Sequence, residues 1–538
     1  MPTFAAIDIG SNSCRLKIAR VVNHQLRTLA EDREVTRLGA SVFESGLVSP
    51  EAMALTIRTL KRFQRAIQAH GVDQIRVAAT AALRDARNGA AFQAWVKAET
   101  GWTLEIISGL EEARLIHRGV IGTEPGAGGR VLMIDLGGGS CEVTLSEHKR
   151  ILDTVSLPLG AVRLTEQFLS SDPPTADGLA RMRQMISREL RQAKRRIKPE
   201  EVGLVLATSG TAAALAAACA EAAKQPFVPA AVKVTARISG KTVAKKPKKR
   251  AERLESAASL DLAPATAVRR LANRLAKMTL AEREVVPGIG PRRAEIIVAG
   301  AMVYAELLET FELHGFRYSQ QGLRDGILAQ MLAEQDQRAS EHRAFENERW
   351  QSVLTTAHRY GVEMKQAEAV RDHAVQLFHD LQPLHELPAE YVSWLAAAAV
   401  LRDTGKFINH QGHHRHTQYI ISSSEIYGYT QLQRTIVSAI ARYQGKSRPQ
   451  PGDRALRNIP LEEHRNVHRA VVLLRLAVAL NQDRASDVLC VKVRIQPKRV
   501  YLELQQGRSG AELELWSLRR EDSYFREVFG RELFPTIE

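Results

Sequence analysis

The sequence predicts an α/β protein: two related half-domains around a cleft, followed by a helical region and a small C-terminal α+β domain. Three observations carry this expectation. Residues 7–15 read I-D-I-G-S-N-S-C-R and residues 134–142 read I-D-L-G-G-G-S-C-E, one stencil written twice. Each copy follows a short apolar run and precedes another, the pattern of a strand, a tight small-residue turn and a second strand. Strand-like and helix-like segments then alternate through the first 330 residues, which marks α/β layering.

The elements follow in order. After the first hairpin, apolar residues at helical spacing predict a helix over 50–70, then strands over 74–79 and 103–107 and a helix over 110–120. The linker G-T-E-P-G-A-G-G at 122–129 cannot sustain regular structure, so the first half is taken as 1–124 and the second as 125–333. The second half runs strand, loop and two strands, then A-T-S-G-T at 207–211 before an Ala-rich helix over 212–223. A basic insertion at about 224–259 interrupts it. Its run K-T-V-A-K-K-P-K-K-R at 241–250 carries six positive charges in ten residues and reads as a mobile surface loop. Strand signals largely vanish from about 335, which predicts a helical domain over 334–455, rich in His. A small domain over 456–538 regains alternation at 491–504, read as a hairpin.

Composition narrows the function classes. The net charge of +15, from 75 Lys and Arg against 60 Asp and Glu, suits a polyanionic partner: nucleic acid, anionic membrane or polymeric phosphate. No apolar run reaches the ~18 residues that a membrane span needs. The N-terminus enters the first strand without a cleavable leader, and four Cys in 538 residues make no disulfide framework. A cytoplasmic location is expected.

The repeated turns carry the chemistry. Small residues let backbone N–H groups approach phosphate oxygens, so Gly10, Ser11, Asn12 and Ser13, with Gly137, Gly138, Gly139 and Ser140, are candidate phosphate cradles. Asp8 and Asp135 end the preceding strands and offer carboxylates to a phosphate-bound metal. Ser209, Gly210 and Thr211 form either a third anion-binding turn at a helix start or a plain helix cap. Ser108 and Glu111 fit a capping box, which leaves Glu112 either as a helix-dipole partner or as the base that activates water. Arg84 is a phosphate clamp or a solvent-facing helix residue. Cys14 and Cys141, each one residue past a turn Ser, are packed small residues or oxidation-sensitive thiols. Arg15 and Lys17 charge a strand where apolar residues are expected.

These residues carry a family resemblance. A-A-I-D-I-G-S-N-S at 5–13, A-T-A-A-L-R at 79–84, I-S-G-L-E-E-A-R-L-I at 107–116, V-L-M-I-D-L-G-G-G-S-C-E at 131–142, A-T-S-G-T at 207–211, P-G-I-G-P-R-R-A at 287–294 and S-Q-Q-G-L-R-D-G at 319–326 occur in order over about 330 residues. Together they resemble the exopolyphosphatase/guanosine pentaphosphate phosphohydrolase family of the acetate kinase–sugar kinase–Hsp70–actin superfamily. The resemblance implies two actin-like (ribonuclease H-like) half-domains, Glu112 as general base, and Asp135 and Glu142 as metal-linked carboxylates. The helical region resembles the family's relative of the HD metal-phosphohydrolase fold, through L-R-D-T-G-K-F-I-N-H-Q-G-H-H-R-H at 401–416. It departs from a working site: Arg402 stands for the His of the H-D pair, Gln366 for a first His ligand and Gln444 for a third. His410, His413, His414 and His416 remain without that partner set, so a substrate-holding or homodimer-forming role is expected.

The function expected is an exopolyphosphatase that removes terminal phosphate from inorganic polyphosphate processively with Mg²⁺. The polymer interior would follow basic surface toward the helical region. Guanosine pentaphosphate is the alternative substrate, because both activities share these motifs. A non-catalytic binder of polyphosphate or nucleic acid is weaker, since the acids are in place and no nucleic-acid module is recognisable. A kinase of the same superfamily would need more than the Gly-Ala pattern at 298–308.

Overall fold

The computed structural model describes residues 2–124, 126–224, 262–336, 338, 342–482, 490–505 and 510–537. The basic run at 241–250, with nearly all of the expected insertion, lies outside the described residues. The chain forms two compact units, Met1–Ser340 and Glu341–Glu538.

The first unit holds two sheets built to one plan. Strands β1 (Thr3–Ile9), β2 (Cys14–Val22), β3 (Gln25–Glu34), β4 (Gln74–Ala79) and β5 (Leu104–Ile106) are ordered β3-β2-β1-β4-β5. An antiparallel meander of β1 to β3 continues into β4 and β5, which lie parallel to β1. In the second sheet β6 (Arg130–Leu136), β7 (Cys141–Glu147) and β8 (Arg150–Leu157) repeat the meander. Strand β9 (Leu204–Thr208) pairs parallel to β6; beyond it lie β11 (Gly315–Tyr318), parallel, and β10 (Leu262–Pro264), antiparallel, at the edge. The repeated stencil is therefore a repeated hairpin inside a repeated sheet.

Helices cover both faces of each sheet, so β1 is buried almost throughout and reads as a continuous apolar run. Helices Gly109–Ile121 and Leu323–Gln335 share a core with both sheets: Leu115, Ile116 and Ile327 pack with Phe4 and Ala78 of the first and Met133 and Leu206 of the second. They cross at Gly119 and Gly326, where any side chain would meet the facing backbone. That crossing fixes where the first turn of Gly109–Ile121 emerges.

Strand β4 has the expected bounds, and the other expected elements appear with shifted ends: helices Pro50–Ala69, Gly109–Ile121 and Ser209–Lys224, and β5 as above. Strand β3 escapes the sequence reading because Q-L-R-T-L-A-E-D-R-E has little apolar alternation. Pairing with β2 holds it, as do ion pairs from Arg62 to Asp32 and Glu34.

The second unit is helical with one three-stranded sheet. Its helix Tyr391–Leu401 is buried nearly all round, as its Ala-rich sequence suggests. The expected hairpin is β12 (Val491–Ile495) and β13 (Arg499–Leu504), and β14 (Glu532–Ile537) adds a parallel third strand. The boundary expected at 455/456 does not separate two cores. One apolar cluster runs from Val353 to Leu533, because helix Leu461–Ala479 packs against helices on one side and against Glu512–Phe529, which bears on β14, on the other. No helix among the described residues is long and apolar enough to cross a membrane.

Candidate active site

The two hairpin turns face each other. Both are closed by one hydrogen bond, Gly10 N–H to Ser13 O at 3.1 Å and Gly137 N–H to Ser140 O at 3.0 Å. Their other carbonyls are tied back: Ser11 O accepts from Gly39 N–H (2.7 Å), Asn12 O from Arg37 (3.1 Å), and Gly138 O from Val162 (2.8 Å). Carbonyls anchored in this way turn the intervening N–H groups toward the cleft. Gly138 and Gly139 approach Ser11 so closely that a Cβ on either would collide with it. Arg163 locks the arrangement: its Nε donates to Gly139 O at 2.7 Å, it pairs with Asp85, and its guanidinium stacks 4.1 Å from the Phe43 ring. Ser11 Oγ and Asn12 Nδ2 are buried at this junction without a hydrogen-bond partner among the described residues.

Strand register divides the charges. In the second sheet Asp135 on β6 is opposite Glu142 on β7, which is opposite Ser156 on β8. The Ser156 hydroxyl donates to Glu142 Oε1 at 2.7 Å. Glu112, on the first turn of Gly109–Ile121, completes the group: Glu112, Asp135 and Glu142 each bring a carboxylate oxygen within 4.8 Å of the others. Glu112 Oε2 and Glu142 Oε2 are buried and accept no hydrogen bond among the described residues. Burial first, then mutual repulsion, raises these acids. Asp135 is pushed up to about 8 and Glu142, by burial despite its hydroxyl donors, to about 7; Glu112 stands well above the carboxylate range. Three such carboxyls sharing one pocket call for a cation.

The first sheet does the opposite. Asp8, Arg15 and Arg33 are register partners across β1, β2 and β3. Like charges directly opposite on paired strands are unfavourable, yet Arg15 and Arg33 sit so, and Arg293 lines the same cleft. Among the described residues no carboxylate pairs with any of these three guanidinium groups. Burial, followed by the positive neighbours, pushes Arg33 down to about 10 and Arg293 to about 9. Such a nest is built for an anion. The ninth position of the repeated stencil thus carries opposite charges in the two copies, Arg15 in one and Glu142 in the other.

The structure sorts the sequence-predicted residues. The cleft is lined by Asp8, Gly10–Ser13, Glu112, Asp135, Gly137–Ser140, Ser209 and Gly210. Asp8, expected beside the metal carboxylates, is not within their 4.8 Å group, yet it stands near enough to raise both Asp135 and Glu112, and its register partner is Arg15. Arg84 is not a solvent-facing residue: its Nη1 donates to Ile107 O at 2.7 Å and lies 3.6 Å from Glu112 Oε2. The Ser209 hydroxyl donates to Leu136 O at 2.6 Å, tying helix Ser209–Lys224 to β6. Gly210 makes room for the Arg293 guanidinium, while Thr211 is buried against Gly300, outside the cleft lining. Ser108 caps its helix by accepting from Glu111 N–H at 3.1 Å, and the Glu111 carboxylate takes two bonds from Arg114, at 2.8 and 2.9 Å. Sequence reasoning passed over Arg33 and Arg293; Arg15 shows in the sequence only as a charge out of place. Lys17, also out of place by sequence, is satisfied by Asp325 at 2.7 Å and Glu31 at 3.0 Å.

Cys14 and Cys141 are fully buried in the cores behind their turns, and burial, then neighbouring carboxylates, pushes both thiols well above their usual range. Neither is an activated thiol. Mild peroxide is therefore expected to cost wild type and a Cys14→Ser, Cys141→Ser variant the same activity, measured as phosphate release. Protection by the serines would restore the redox reading.

In the second unit the HD-like constellation is closed by side chains. Asp403 lies 3.3 Å from Arg402 Nη2, 2.9 Å from Lys406 and 3.6 Å from His413. Although burial pushes the other way, these cations hold its carboxyl below the usual range. Gln444 donates to Arg402 O at 2.7 Å, where a ligand His would have offered a lone pair. Among the described residues the only triad placed to hold a metal is the one in the cleft. Replacing His413 and His416 with Ala is expected to leave phosphate release from short polymers unchanged. Joint loss of a stoichiometric metal and of activity would contradict this.

Paired sheets of one topology, with hairpin turns facing across a cleft of carboxylates and cations, define the actin-like class of phosphate-handling folds. Comparison with known proteins takes the assignment further: the chain belongs to the Ppx/GppA phosphatase family, whose profile matches residues 17–335 and whose domain III profile matches 348–522. It is similar to a guanosine-5'-triphosphate,3'-diphosphate pyrophosphatase of Pseudoalteromonas atlantica, at 28% identity over 498 residues, covering 91% of this chain and 89% of the relative. Among solved structures it resembles an exopolyphosphatase from Cytophaga hutchinsonii, at 25% identity and a TM-score of 0.52, over 62% of this chain and 98% of that one. An exopolyphosphatase-like protein matches at 26% identity, with the same TM-score of 0.52, over 61% of this chain and 97% of that one. The chain is an enzyme of the hydrolase class that acts on phosphoric anhydrides.

Proposed function

We propose that the protein is an exopolyphosphatase, which removes the terminal phosphate of inorganic polyphosphate processively and releases orthophosphate. The observation that carries this reading is the charge grouping within the cleft: three buried carboxylates within 4.8 Å of one another and, lining the same cleft, three neighbouring guanidinium groups that form no ion pair with a carboxylate among the described residues. A terminal phosphoryl group fits between them, with the rest of the anionic chain on the arginines. The reading includes Mg²⁺, a cytoplasmic location and a homodimer.

The carboxylate group fits a hard divalent cation, since two of its buried oxygens accept no hydrogen bond among the described residues and all its donors are oxygen. Asp135 and Glu142 would hold Mg²⁺, which when bound draws negative charge from the transferring group. The turn amides of Gly10–Ser13 and Gly137–Ser140, with Ser11 Oγ and Asn12 Nδ2, hold the terminal phosphate. Glu112 orients a water and takes its proton as the new O–P bond forms. The bond to the next phosphate breaks, and Arg15, Arg33 and Arg293 receive the charge of the shortened chain. Arg84, beside Glu112, keeps the carboxylate from drifting out of line and offsets part of its burial.

A second reading, guanosine pentaphosphate as substrate, is favoured by the pyrophosphatase similar to this chain over 91% of its length. The guanidinium nest serves either chain of phosphates. Phosphate release from long-chain polyphosphate and from guanosine pentaphosphate, measured side by side with and without Mg²⁺, decides. Higher kcat/KM on polyphosphate is expected; preference for the nucleotide would transfer the assignment, and no release from either would end both.

A further inference from the structure

The second unit contains a cavity that the phosphatase chemistry does not use. It measures about 830 Å³ and lies between helices His413–Ser423 and Gln431–Arg442 and the segment at 453–458. That volume falls within the ~300–1,000 Å³ typical of small-molecule sites. Four arginines line it: Arg415, Arg442, Arg454 and Arg457. Among the described residues none of the four forms an ion pair with a carboxylate, although Asp453 lies in the same lining. Arg442 Nη1 is buried without a hydrogen-bond partner among the described residues. Burial and then the Arg442 guanidinium lower the neighbouring His414, and burial with Arg415 beside it lowers Arg442, the mark of positive charge crowded at one place.

The remaining lining separates an organic phosphate from a bare phosphate chain. Gln418, Gln431 and Asn458 offer carbonyl acceptors as well as amide donors. Asp453, held by Tyr443 Oη at 2.6 Å and Gln450 N–H at 2.9 Å, is an acceptor only. An inorganic chain, ionised throughout, has nothing to donate to these groups and would be repelled by Asp453. Sugar hydroxyls and the amino groups of a base would satisfy them. Tyr419 stands 68% exposed at the rim, a ring face free to stack.

We propose that this cavity is a binding site for a small nucleotide-type phosphate, its phosphates on Arg442, Arg454 and Arg457 and its base against Tyr419. The site is built wholly from the second unit and does not depend on which substrate the cleft cleaves. The shared chemistry, phosphate on a guanidinium cluster, has two sources, a nucleotide and an inorganic oligophosphate, so the test includes both.

Calorimetric titration of the full chain, in a Glu112→Gln background that prevents turnover, uses adenylyl imidodiphosphate and inorganic tripolyphosphate as probes. Arg454 and Arg457 are exposed, so Arg454→Ser, Arg457→Ser should keep the wild-type unfolding midpoint. In an otherwise wild-type chain it should also keep the basal rate of phosphate release. A binding event for adenylyl imidodiphosphate is expected that weakens at least tenfold in this double variant and in Tyr419→Ala, yet survives Arg15→Ala, Arg293→Ala in the cleft. Equal nucleotide binding with and without Arg454 and Arg457, or loss of all binding with the cleft arginines, overturns the site. Tripolyphosphate binding there as tightly as the nucleotide, with Tyr419→Ala affecting neither, overturns the nucleotide assignment.

Discussion

Glu112→Gln is expected to lower turnover by roughly 10²–10⁴-fold, the usual contribution of a positioned base, while leaving polyphosphate binding close to wild type. The amide keeps the shape and cannot take a proton from water. Binding should persist because in the proposed mechanism the turn amides and the three arginines, not Glu112, hold the phosphates. Its neighbour should behave in the opposite sense. Glu111 makes two charge-assisted bonds to buried Arg114, and Gln at 111 replaces a charged acceptor by a neutral one. That change is expected to cost about 1–3 kcal/mol of stability with kcat largely retained. Steady-state phosphate release and urea unfolding on both variants check the pair. Loss of turnover at 111 with retention at 112 would reverse their roles.

The second large effect couples metal, pH and stability. Glu142 and Asp135 have folded-state values of about 7 and about 8, above the ~4 of an unfolded carboxyl. The folded metal-free state therefore binds more protons than the unfolded state, and its stability falls as pH rises from about 4 through about 8. Mg²⁺ binds the deprotonated carboxylates, so its stabilisation should be small at pH 5 and large at pH 8. At a hundredfold excess over Kd the gain is about 2.7 kcal/mol, several degrees of Tm for a unit of this size. Asp135→Asn removes one of the two proposed ligands and should flatten both the metal-free pH slope and the Mg²⁺ shift, and abolish most turnover. Thermal unfolding in Mg²⁺ and in chelator, from pH 5 to 8.5, measures this. A Tm shift independent of pH, or one preserved in Asp135→Asn, would move the cation elsewhere.

Much of this was legible because it is local. The strand–turn–strand stencil is written in nine consecutive residues, and its duplication shows directly in the chain. Glu112 could be placed near the cleft because a capped helix start follows a strand end within a few residues. Even the opposite charges of the two copies were visible in principle, since the ninth letter of the stencil is Arg in one copy and Glu in the other. Strand β3 was not legible, because it earns its place by pairing and ion pairs rather than by apolar alternation. The third strand of the terminal sheet was missed for a related reason: β14 lies 28 residues beyond the β13 it joins, and its register is set by packing.

The sequence by itself determined the duplicated hairpins, the α/β layering, the acids that gather in the cleft and the incomplete ligand set of the helical region. Each rests on short-range rules of backbone geometry, periodicity and side-chain chemistry. Only the tertiary structure decided that Asp8, in register with Arg15, lies outside the tightest carboxylate group while still facing Asp135 and Glu112, and that Thr211 faces the core. It alone brought Arg15, Arg33 and Arg293 into one cleft. Those outcomes depend on strand register and on where helices cross, and a shift of one residue in either would turn the same side chains to the opposite face.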